Sequence, residues 1–404
     1  MPGKGHAMFG RIKFSAALTA GLLAAAAGGS QPAGGAAAAR PVTRAWLDGV
    51  TATSGGGAWA VGSFRHADGD LPLIEHWDGR RWTVIRPGLH LQAGADYILA
   101  GAAATSATDV WAAGSLSTQY GFALVDHWDG TAWKQAPTPL AGCCYSAAGL
   151  SAVAAASPAD AWAVGVKYAG ASIGDDRTLI LRWKARAGRW VKVPSPNPAG
   201  VGGGAAQSAL HGVAVLSPAD AWAVGVARSG PSGQRNTLIE KWDGTSWTVV
   251  PSPDPSRAGC VSDDLLGVAA TRAAAWTVGD YCGAALVLRL HHGRWQHVPA
   301  PAPPAGTSER LASVAVTSAT GAWAVGSIGD RTLILRWNGT KWVTAHAPSP
   351  AGATAAKLTA VTAVSPSIAW AVGQADYPHH VTKLLIERWN GTKWTLVPVP
   401  NPPP

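Results

Sequence analysis

Residues 210–253 read LHGVAVLSPADAWAVGVARSGPSGQRNTLIEKWDGTSWTVVPSP, and this stretch is one of seven similar copies along the chain. Its three tryptophans mark the copies. The first, in the run AWAVG, recurs at intervals of 47 to 60 residues as Trp59, Trp111, Trp162, Trp222, Trp276, Trp323 and Trp370. Self-similarity with a period of this size is typical of solenoids and propellers.

The other two tryptophans follow at fixed offsets. The second recurs, with Leu290 in its place in the fifth copy, as Trp77, Trp128, Trp183, Trp242, Trp337 and Trp389. The third recurs as Trp82, Trp133, Trp190, Trp247, Trp295, Trp342 and Trp394. Of the 21 tryptophans only Trp46 lies outside the pattern. We interpret the repeated indoles as packing between blades; the alternative is that they are platforms for sugar stacking. The exposure of Trp46 stays open.

Each copy contains four short apolar runs separated by turn residues, which predicts four β-strands, A to D. Strand A carries Leu-x-x-Val, strand B is the AWAVG run and is expected to end at its glycine, and strands C and D carry the second and third tryptophans. The predicted fold is all-β: a seven-bladed β-propeller with four antiparallel strands per blade. We expect one domain over 41–404, with blades at 43–88, 95–139, 146–198, 206–255, 261–304, 307–350 and 354–400.

The order GVAVLS, DAWAVG, LIEKWDG, TSWTVV resembles a kelch-type repeat, although one glycine stands where kelch units usually have a pair. The pairs Trp77-Asp78, Trp128-Asp129 and Trp242-Asp243 resemble those of WD repeats. The chain is most similar to the tandem-repeat secreted propellers of bacteria. That resemblance implies a propeller with a binding role and no particular ligand.

The first 40 residues have the pattern of a secretory signal peptide followed by a small-residue linker. Lys4, Arg11 and Lys13 precede an apolar run at 14–27, and small residues continue to Ala39. The run is shorter than the ~20 residues that span a bilayer. We therefore predict a secreted, extracellular protein without a membrane span.

The net charge of +9 falls to +5 when Lys4, Arg11, Lys13 and Arg40 are removed with the leader. The remaining charges are scattered and form no basic run with interleaved aromatics, which argues against a nucleic-acid partner. No metal-ligand spacing is present, so no metal or other cofactor is predicted. The expected oligomeric state is a monomer.

Antiparallel strand order places the A–B and C–D turns on one face and the B–C and D–A loops on the other. The C–D turns are short, whereas the B–C loops vary in length. The variable face is expected to carry all six tyrosines in its loops: Tyr97, Tyr120, Tyr145, Tyr168, Tyr281 and Tyr377. Binding residues concentrate on loops held by a rigid scaffold, so this face is the predicted binding face. The alternative is that length variation is simply tolerated there.

Residues just before Leu-x-x-Val should ring the mouth of the central channel, because strand A is innermost in propellers. The predicted ligand-binding residues are Tyr97, Tyr145, Ser208, Asp263, Asp264, Glu309, Arg310 and Lys357. A convergent polar cluster on an apolar scaffold is typical of a binding site. The alternative is a solvated rim of salt bridges.

Four cysteines in a secreted chain predict disulfides. Cys260 precedes strand A and Cys282 follows strand B of the same blade, so an A–B hairpin would bring them together. Cys143 and Cys144 are adjacent and could form a vicinal disulfide, or one could bond elsewhere.

The predicted function is non-enzymatic binding of a protein or glycan through the B–C and D–A face. The alternative is a carbohydrate-active enzyme: a hydrolase, a lyase or a kelch-type oxidase. A hydrolase could use Asp263, Asp264 or Glu309 as acid and base. Copper oxidation would need a Tyr-Cys pair and two histidines at the mouth, where the sequence offers only His211.

Overall fold

The structure, a computed structural model, describes residues 42–118, 121–139, 147–168, 176–198, 207–229, 234–253 and 262–402. These residues form seven four-stranded antiparallel sheets. The first strands of the sheets contact one another in a closed ring. The seven-bladed propeller predicted from the repeats is therefore confirmed. No helix in the described part of the chain has the length and apolar character needed to cross a bilayer.

Strands A to D follow one another along the chain in every blade. Blade 1 contains β1 (Ala45–Ala52), β2 (Ala58–His66), β3 (Gly69–Trp77) and β4 (Trp82–Ile85). Blade 2 contains β5 (Asp96–Ser106), β6 (Asp109–Ser117), β7 (Gly121–Trp128) and β8 (Trp133–Gln135). Blade 3 contains β9 (Ala148–Ser157), β10 (Asp160–Tyr168), β11 (Asp176–Lys184) and β12 (Arg189–Val193). Blade 4 contains β13 (Gln207–Ser217), β14 (Asp220–Ser229), β15 (Gln234–Trp242) and β16 (Trp247–Val249).

The last three blades repeat this order. Blade 5 contains β17 (Asp263–Ala270), β18 (Ala275–Tyr281), β19 (Ala284–His291) and β20 (Arg294–His297). Blade 6 contains β21 (Glu309–Ser318), β22 (Gly321–Ile328), β23 (Arg331–Trp337) and β24 (Trp342–Thr344). Blade 7 contains β25 (Ala355–Ser365), β26 (Ile368–Tyr377), β27 (Val381–Trp389) and β28 (Trp394–Leu396). A single-turn 3₁₀ helix lies at Ala185–Ala187, and Pro378–His380 form a turn in which His379 and His380 have positive φ.

A β-bulge interrupts strand A at the same place in every blade. In blade 1 the pairing shifts between Leu47 and Gly49, which leaves Asp48 without a partner on strand B. The bulge brings the Trp46 carbonyl oxygen to Gly62, where a Cβ would lie only 2.1 Å from that oxygen. The same close approach recurs at the corresponding glycine of all seven blades. The repeated glycine is therefore required by the bulge in the neighbouring strand.

The prediction that strand B ends at this glycine is wrong, because the ladder continues past it to His66 in β2. Tyr168, Tyr281 and Tyr377 are consequently the last residues of their B strands, and Tyr97 lies within β5. The expectation that these four tyrosines lie in loops is also wrong. The backbone hydrogen bonds extend the hairpins beyond the apolar runs that the sequence makes visible.

The repeated indoles cross the boundaries between blades, as their periodicity predicts. Trp162 of blade 3 lies 4.9 Å from Trp242 and 5.3 Å from Trp247 of blade 4, measured between ring centroids. Five other boundaries contain equivalent triplets: Trp59/Trp128/Trp133, Trp111/Trp183/Trp190, Trp276/Trp337/Trp342, Trp323/Trp389/Trp394 and Trp370/Trp77/Trp82. Only the blade 4–5 boundary differs, because Leu290 replaces one indole. The packing interpretation is confirmed.

Blade 1 joins blade 7 by contacts of the kind that join successive blades. The Thr382 backbone N–H donates to the Thr43 carbonyl at 2.8 Å. The Thr359 hydroxyl donates to the Leu47 carbonyl at 2.6 Å. Each of the seven sheets consists of four consecutive strands. The ring is therefore closed by side-chain packing together with these hydrogen bonds.

Candidate functional site

Two stacked rings of side chains are directed toward the central channel. The strand A leucine is buried, so the residue before it and the bulged residue after it point away from the core. The outer ring, nearest the D–A loops, contains Trp46, Ile98, Gly149, Ala209, Asp264, Arg310 and Lys357. The inner ring of bulged residues contains Asp48, Ala100, Ser151, His211, Leu266, Ala312 and Thr359.

The structure separates the predicted site residues into two groups. Asp264, Arg310 and Lys357 lie in the outer ring, where Asp264 is buried and the two cationic residues are exposed. Four others lie two positions before the leucine, face the same way as that leucine and are buried: Tyr97, Ser208, Asp263 and Glu309. Tyr145 lies outside the described residues. Their role in ligand binding stays a prediction.

Two of the buried residues have evident structural contacts. The Tyr97 hydroxyl accepts from the Gln92 backbone N–H at 2.8 Å and donates to the His90 carbonyl at 3.0 Å. Burial raises the pKa of Glu309, and a hydrogen bond from the Ala285 backbone opposes that rise. These contacts hold the D–A loop of blade 1 and the start of strand A in blade 6.

Charges alternate along one arc of the mouth. Arg235 of blade 4 forms an ion pair with Asp264 of blade 5. Arg310 of blade 6 lies 3.7 Å from Asp280, which is paired directly opposite Asp264 in the sheet. Burial raises the pKa of Asp280, and the negative charge of Asp264 adds to this, while the two arginines oppose it. The arginines thus neutralise two carboxylates that face each other across one strand pair.

His211 lies beneath this arc, in the inner ring. Burial lowers its pKa to about 4, and Arg235 and Arg310 lower it further against the opposing charge of Asp264. The buried Nε2 atom has no hydrogen-bond partner among the described residues. The imidazole is therefore neutral at neutral pH, and its Nε2 atom is buried beneath the mouth.

Asp48 and Trp46 complete the mouth on the side of blade 1. Asp48 keeps partial solvent access, and burial raises its pKa to about 7. The positive charge of Lys357 and a hydrogen bond from the Trp46 side chain oppose this rise. Trp46 is half-buried. An aromatic ring, a titrating carboxyl group and an ammonium group therefore share one part of the mouth.

Sequence reasoning did not assign Trp46, Asp48, Arg235 or Asp280 to the site, and it considered His211 only as a histidine for copper oxidation. A signal for the first two was present. Trp46 is the only tryptophan outside the repeat, and Asp48 is the only acid at its position in strand A. Within the described ranges no group of three or more His, Cys, Asp and Glu side chains is arranged to hold a metal ion.

The disulfide predictions fall largely outside the described residues, which exclude Cys143, Cys144 and Cys260. Cys282 is described, and its backbone N–H donates to the Ser262 carbonyl at 3.0 Å. This contact places Cys282 beside the chain two residues after Cys260. The Cys260–Cys282 pairing stays a prediction.

No protein-family model matches the chain, and no curated protein matches it either. The resemblance to kelch and WD repeats therefore stays a prediction. Similarity to solved structures identifies the class of fold, a β-propeller, and no family beyond it.

Three solved structures illustrate this similarity. The GH74 xyloglucanase from Xanthomonas campestris has a TM-score of 0.53 and 16% identity, covering 88% of this chain and 55% of its own. This chain thus spans about half the length of that enzyme. The β-propeller domain of the Trilobed protease from Pyrococcus furiosus has a TM-score of 0.53 and 7% identity, with 89% and 99% covered. The SapL1 lectin, in complex with alpha methyl fucoside, has a TM-score of 0.45 and 11% identity, with 90% and 98% covered.

Proposed function

We propose that the protein is a secreted propeller that binds a carbohydrate, without transforming it, at the mouth of the central channel. The observation that carries the proposal is the position of Trp46. It is the one tryptophan that the repeats do not contain, and it lies in the outer ring, where its indole N–H lowers the pKa of Asp48. Its place in the ring distinguishes it from the indoles that pack between blades.

The chemistry around Trp46 suits a sugar. An indole face packs against the apolar C–H face of a pyranose ring, and its N–H is available for hydrogen bonding. Asp48 can accept hydrogen bonds from hydroxyl groups, and Lys357 and Arg310 can donate them. The opposite side of the outer ring has the small residues Gly149 and Ala209, which leave room for a ligand. A few oriented polar groups beside an apolar surface are typical of small-ligand sites.

The ion pairs between carboxylates and arginines at the mouth support binding rather than hydrolysis. Two-carboxylate hydrolysis needs one group that donates a proton and a second, ionised group that is free to act on the substrate or on water. Asp264 and Asp280 are engaged by arginines, so they are poorly placed for that second role. The raised pKa of Asp48, at the mouth itself, favours an acid catalyst, and a glycoside hydrolase or lyase is therefore the second candidate.

A screen of immobilised glycans against the full protein tests the proposal. We expect selective capture of a subset of glycans by the wild type and loss of that capture in Trp46→Ala. Val249→Ala is the matched control, because it removes exposed apolar surface from the outer strand of blade 4. Capture that is unchanged in Trp46→Ala, or the absence of any captured glycan together with binding of a protein ligand, would overturn the carbohydrate assignment.

The same glycans separate binding from catalysis. Incubation of each captured glycan with the protein should return it intact, as measured by mass spectrometry. Release of shortened or unsaturated sugars would replace the binding proposal with the enzyme alternative. Loss of that turnover in Asp48→Asn would then identify the acid.

Secretion is the remaining part of the proposal. It rests on the charged start, apolar run and small-residue stretch of residues 1–40. Expression of the full chain with its leader should deliver the protein to the medium, with a new N-terminus near residue 40. Retention of an uncleaved chain inside the cell would contradict secretion.

A further inference from the structure

The boundary between blades 4 and 5 has a feature that the other six lack. Leu290 in β19 occupies the strand C position that holds tryptophan in every other blade. The backbone register is unchanged, because Leu290 pairs with Trp295 as Trp242 pairs with Trp247. The substitution therefore removes an indole without altering the sheet that would carry it.

A groove of about 480 Å³ lies at this position on the face formed by the A–B and C–D turns, opposite the channel mouth. Residues from both blades line it, including Leu216, Asp220, Trp222, Lys241, Arg272 and Leu290. Their side chains supply an aromatic ring, aliphatic surface and charge of both signs. The groove is thus lined by the same elements that surround the strand C indole at the other boundaries.

At those boundaries the indole makes three kinds of contact. It packs at 4.7 to 5.1 Å against the strand B tryptophan of the preceding blade. At several boundaries a cationic side chain covers both rings, as Arg182 covers Trp162 at 4.7 Å and Trp242 at 5.6 Å. In three blades its N–H donates to a turn carbonyl, as Trp242 donates to Pro218 at 3.0 Å.

Each of these partners has a counterpart in the groove. Trp222 is the strand B tryptophan of the preceding blade. Lys241 lies 4.8 Å from the centroid of Trp222 and 4.0 Å from the Asp220 carboxylate. Arg272 stands four residues before Trp276, as Pro218 stands before Trp222, in an A–B turn that is one residue shorter, so its carbonyl is the counterpart of that acceptor by sequence position. Leu290 has no ring to stack and no N–H to donate.

We propose that this groove binds a planar aromatic ring with an N–H donor, of the indole class. The ring stacks beside Trp222 beneath the Lys241 ammonium group, and its N–H donates to the Arg272 carbonyl. Such a ring belongs either to a free heterocycle or to a tryptophan side chain of a peptide, and both present the same chemistry to the groove. This site is separate from the proposed carbohydrate site and does not depend on it.

Fluorine NMR of 5-fluoroindole, titrated with the full protein, measures this binding without interference from the intrinsic tryptophans. Saturable broadening of the ligand signal is expected. N-acetyltryptophanamide in competition distinguishes the two sources: displacement indicates a peptide side chain, and its absence with retained indole binding indicates a free heterocycle. The absence of saturable indole binding would overturn the proposal.

Two variants and one probe locate the ring. Leu290→Trp should fill the groove from within and weaken 5-fluoroindole binding at least about tenfold, while Leu396→Trp, which adds an indole at an exposed position in blade 7, should leave it unchanged. Binding that persists in Leu290→Trp, with a folded variant confirmed by its unfolding transition, would overturn the site. A competitor without the donor, 1-methylindole, should bind about two- to tenfold more weakly than indole. Equal binding would overturn the role of the Arg272 carbonyl.

Discussion

The boundaries between blades contain side chains that repeat from blade to blade, whereas the mouth of the channel contains side chains that do not. Six of the seven boundaries contain the same three indoles. The outer ring of the mouth has a different residue in every blade. The space between neighbouring sheets has the same shape at each boundary, so close packing favours the same side chain there. The mouth is free of that requirement, and its residues can differ from blade to blade and contact a ligand.

Variation alone does not mark a site, as strand C demonstrates. Two residues before the second tryptophan, four blades bury an acid (Glu75, Asp126, Glu240 and Glu387), and three place leucine there (Leu181, Leu288 and Leu335). Asp126 accepts from the Gly88 backbone N–H and Glu240 from the Ser195 hydroxyl, each at 3.0 Å. Glu75 and Glu387 have no hydrogen-bond partner among the described residues. These acids lie in the interior, out of reach of a ligand.

The largest effect is expected from removing a repeated indole. Trp162→Ala should lower the free energy of unfolding by about 3–5 kcal/mol, because the cavity cannot be filled by the rigid neighbouring sheets. Urea unfolding measures this loss. Trp222→Ala is the matched control and should lose less, since Leu290 leaves Trp222 with Trp295 as its only indole neighbour. An unchanged unfolding transition in Trp162→Ala would contradict the claim that the repeated indoles stabilise the ring of blades.

A smaller effect of opposite sign, a gain in stability, is expected when a buried acid of strand C is replaced. Burial raises the pKa of Glu387 from 4.5 to about 8, so the folded state binds a proton that the unfolded state has lost between those values. This contribution to stability therefore falls as pH rises through that window. Glu387→Leu should stabilise the protein by about 1–3 kcal/mol near pH 8 and by less near pH 4.5.

Urea unfolding across this pH range measures the gain. Glu240→Leu is the matched control, and its gain should be smaller because the change also removes the acceptor of the Ser195 hydroxyl. A gain for Glu387→Leu that does not change with pH would contradict the assignment to a buried carboxyl group.

The smallest effect is expected in the pH dependence of ligand binding. Asp48, whose pKa is about 7, ionises as pH rises through neutrality. An ionised acceptor strengthens hydrogen bonds from sugar hydroxyls, so affinity for an uncharged glycan should rise about fivefold. Calorimetric titration on both sides of neutral pH measures the change. Asp48→Asn should abolish it, whereas His211→Gln should retain it because the pKa of His211 is about 4. A dependence that survives in Asp48→Asn would exclude this residue as its source.

The fold could be predicted because its determinants repeat. The three tryptophans and the strand B glycine recur in nearly every blade, and the large indoles have one way to pack between sheets. The role of the glycine was only half visible. Its requirement arises from the bulge opposite, such as the one at Asp48, and pairing register cannot be read from one strand alone.

The mouth could be predicted in part. The period of two along a strand directs Asp264 and Asp263 to opposite sides of the sheet, once the following leucine is taken as buried, although both carboxylates are buried. The contact of Arg235 with Asp264 could not be predicted in this way, because it joins strand C of one blade to strand A of the next. The same holds for the lowering of the His211 pKa by the charge of Arg310, because the two residues belong to blades that are not neighbours in sequence.

The most direct test of the account compares two tryptophans in the same pair of measurements. A captured glycan is titrated against Trp46→Ala and Trp162→Ala under conditions in which both are folded, and the unfolding midpoint of each is measured. Trp46→Ala should bind about tenfold or more weakly with an unchanged midpoint, and Trp162→Ala should bind normally with a lowered midpoint. Wild-type affinity in Trp46→Ala, with its stability reduced as in Trp162→Ala, would contradict the claim that repeated residues hold the ring and the unrepeated tryptophan binds the ligand.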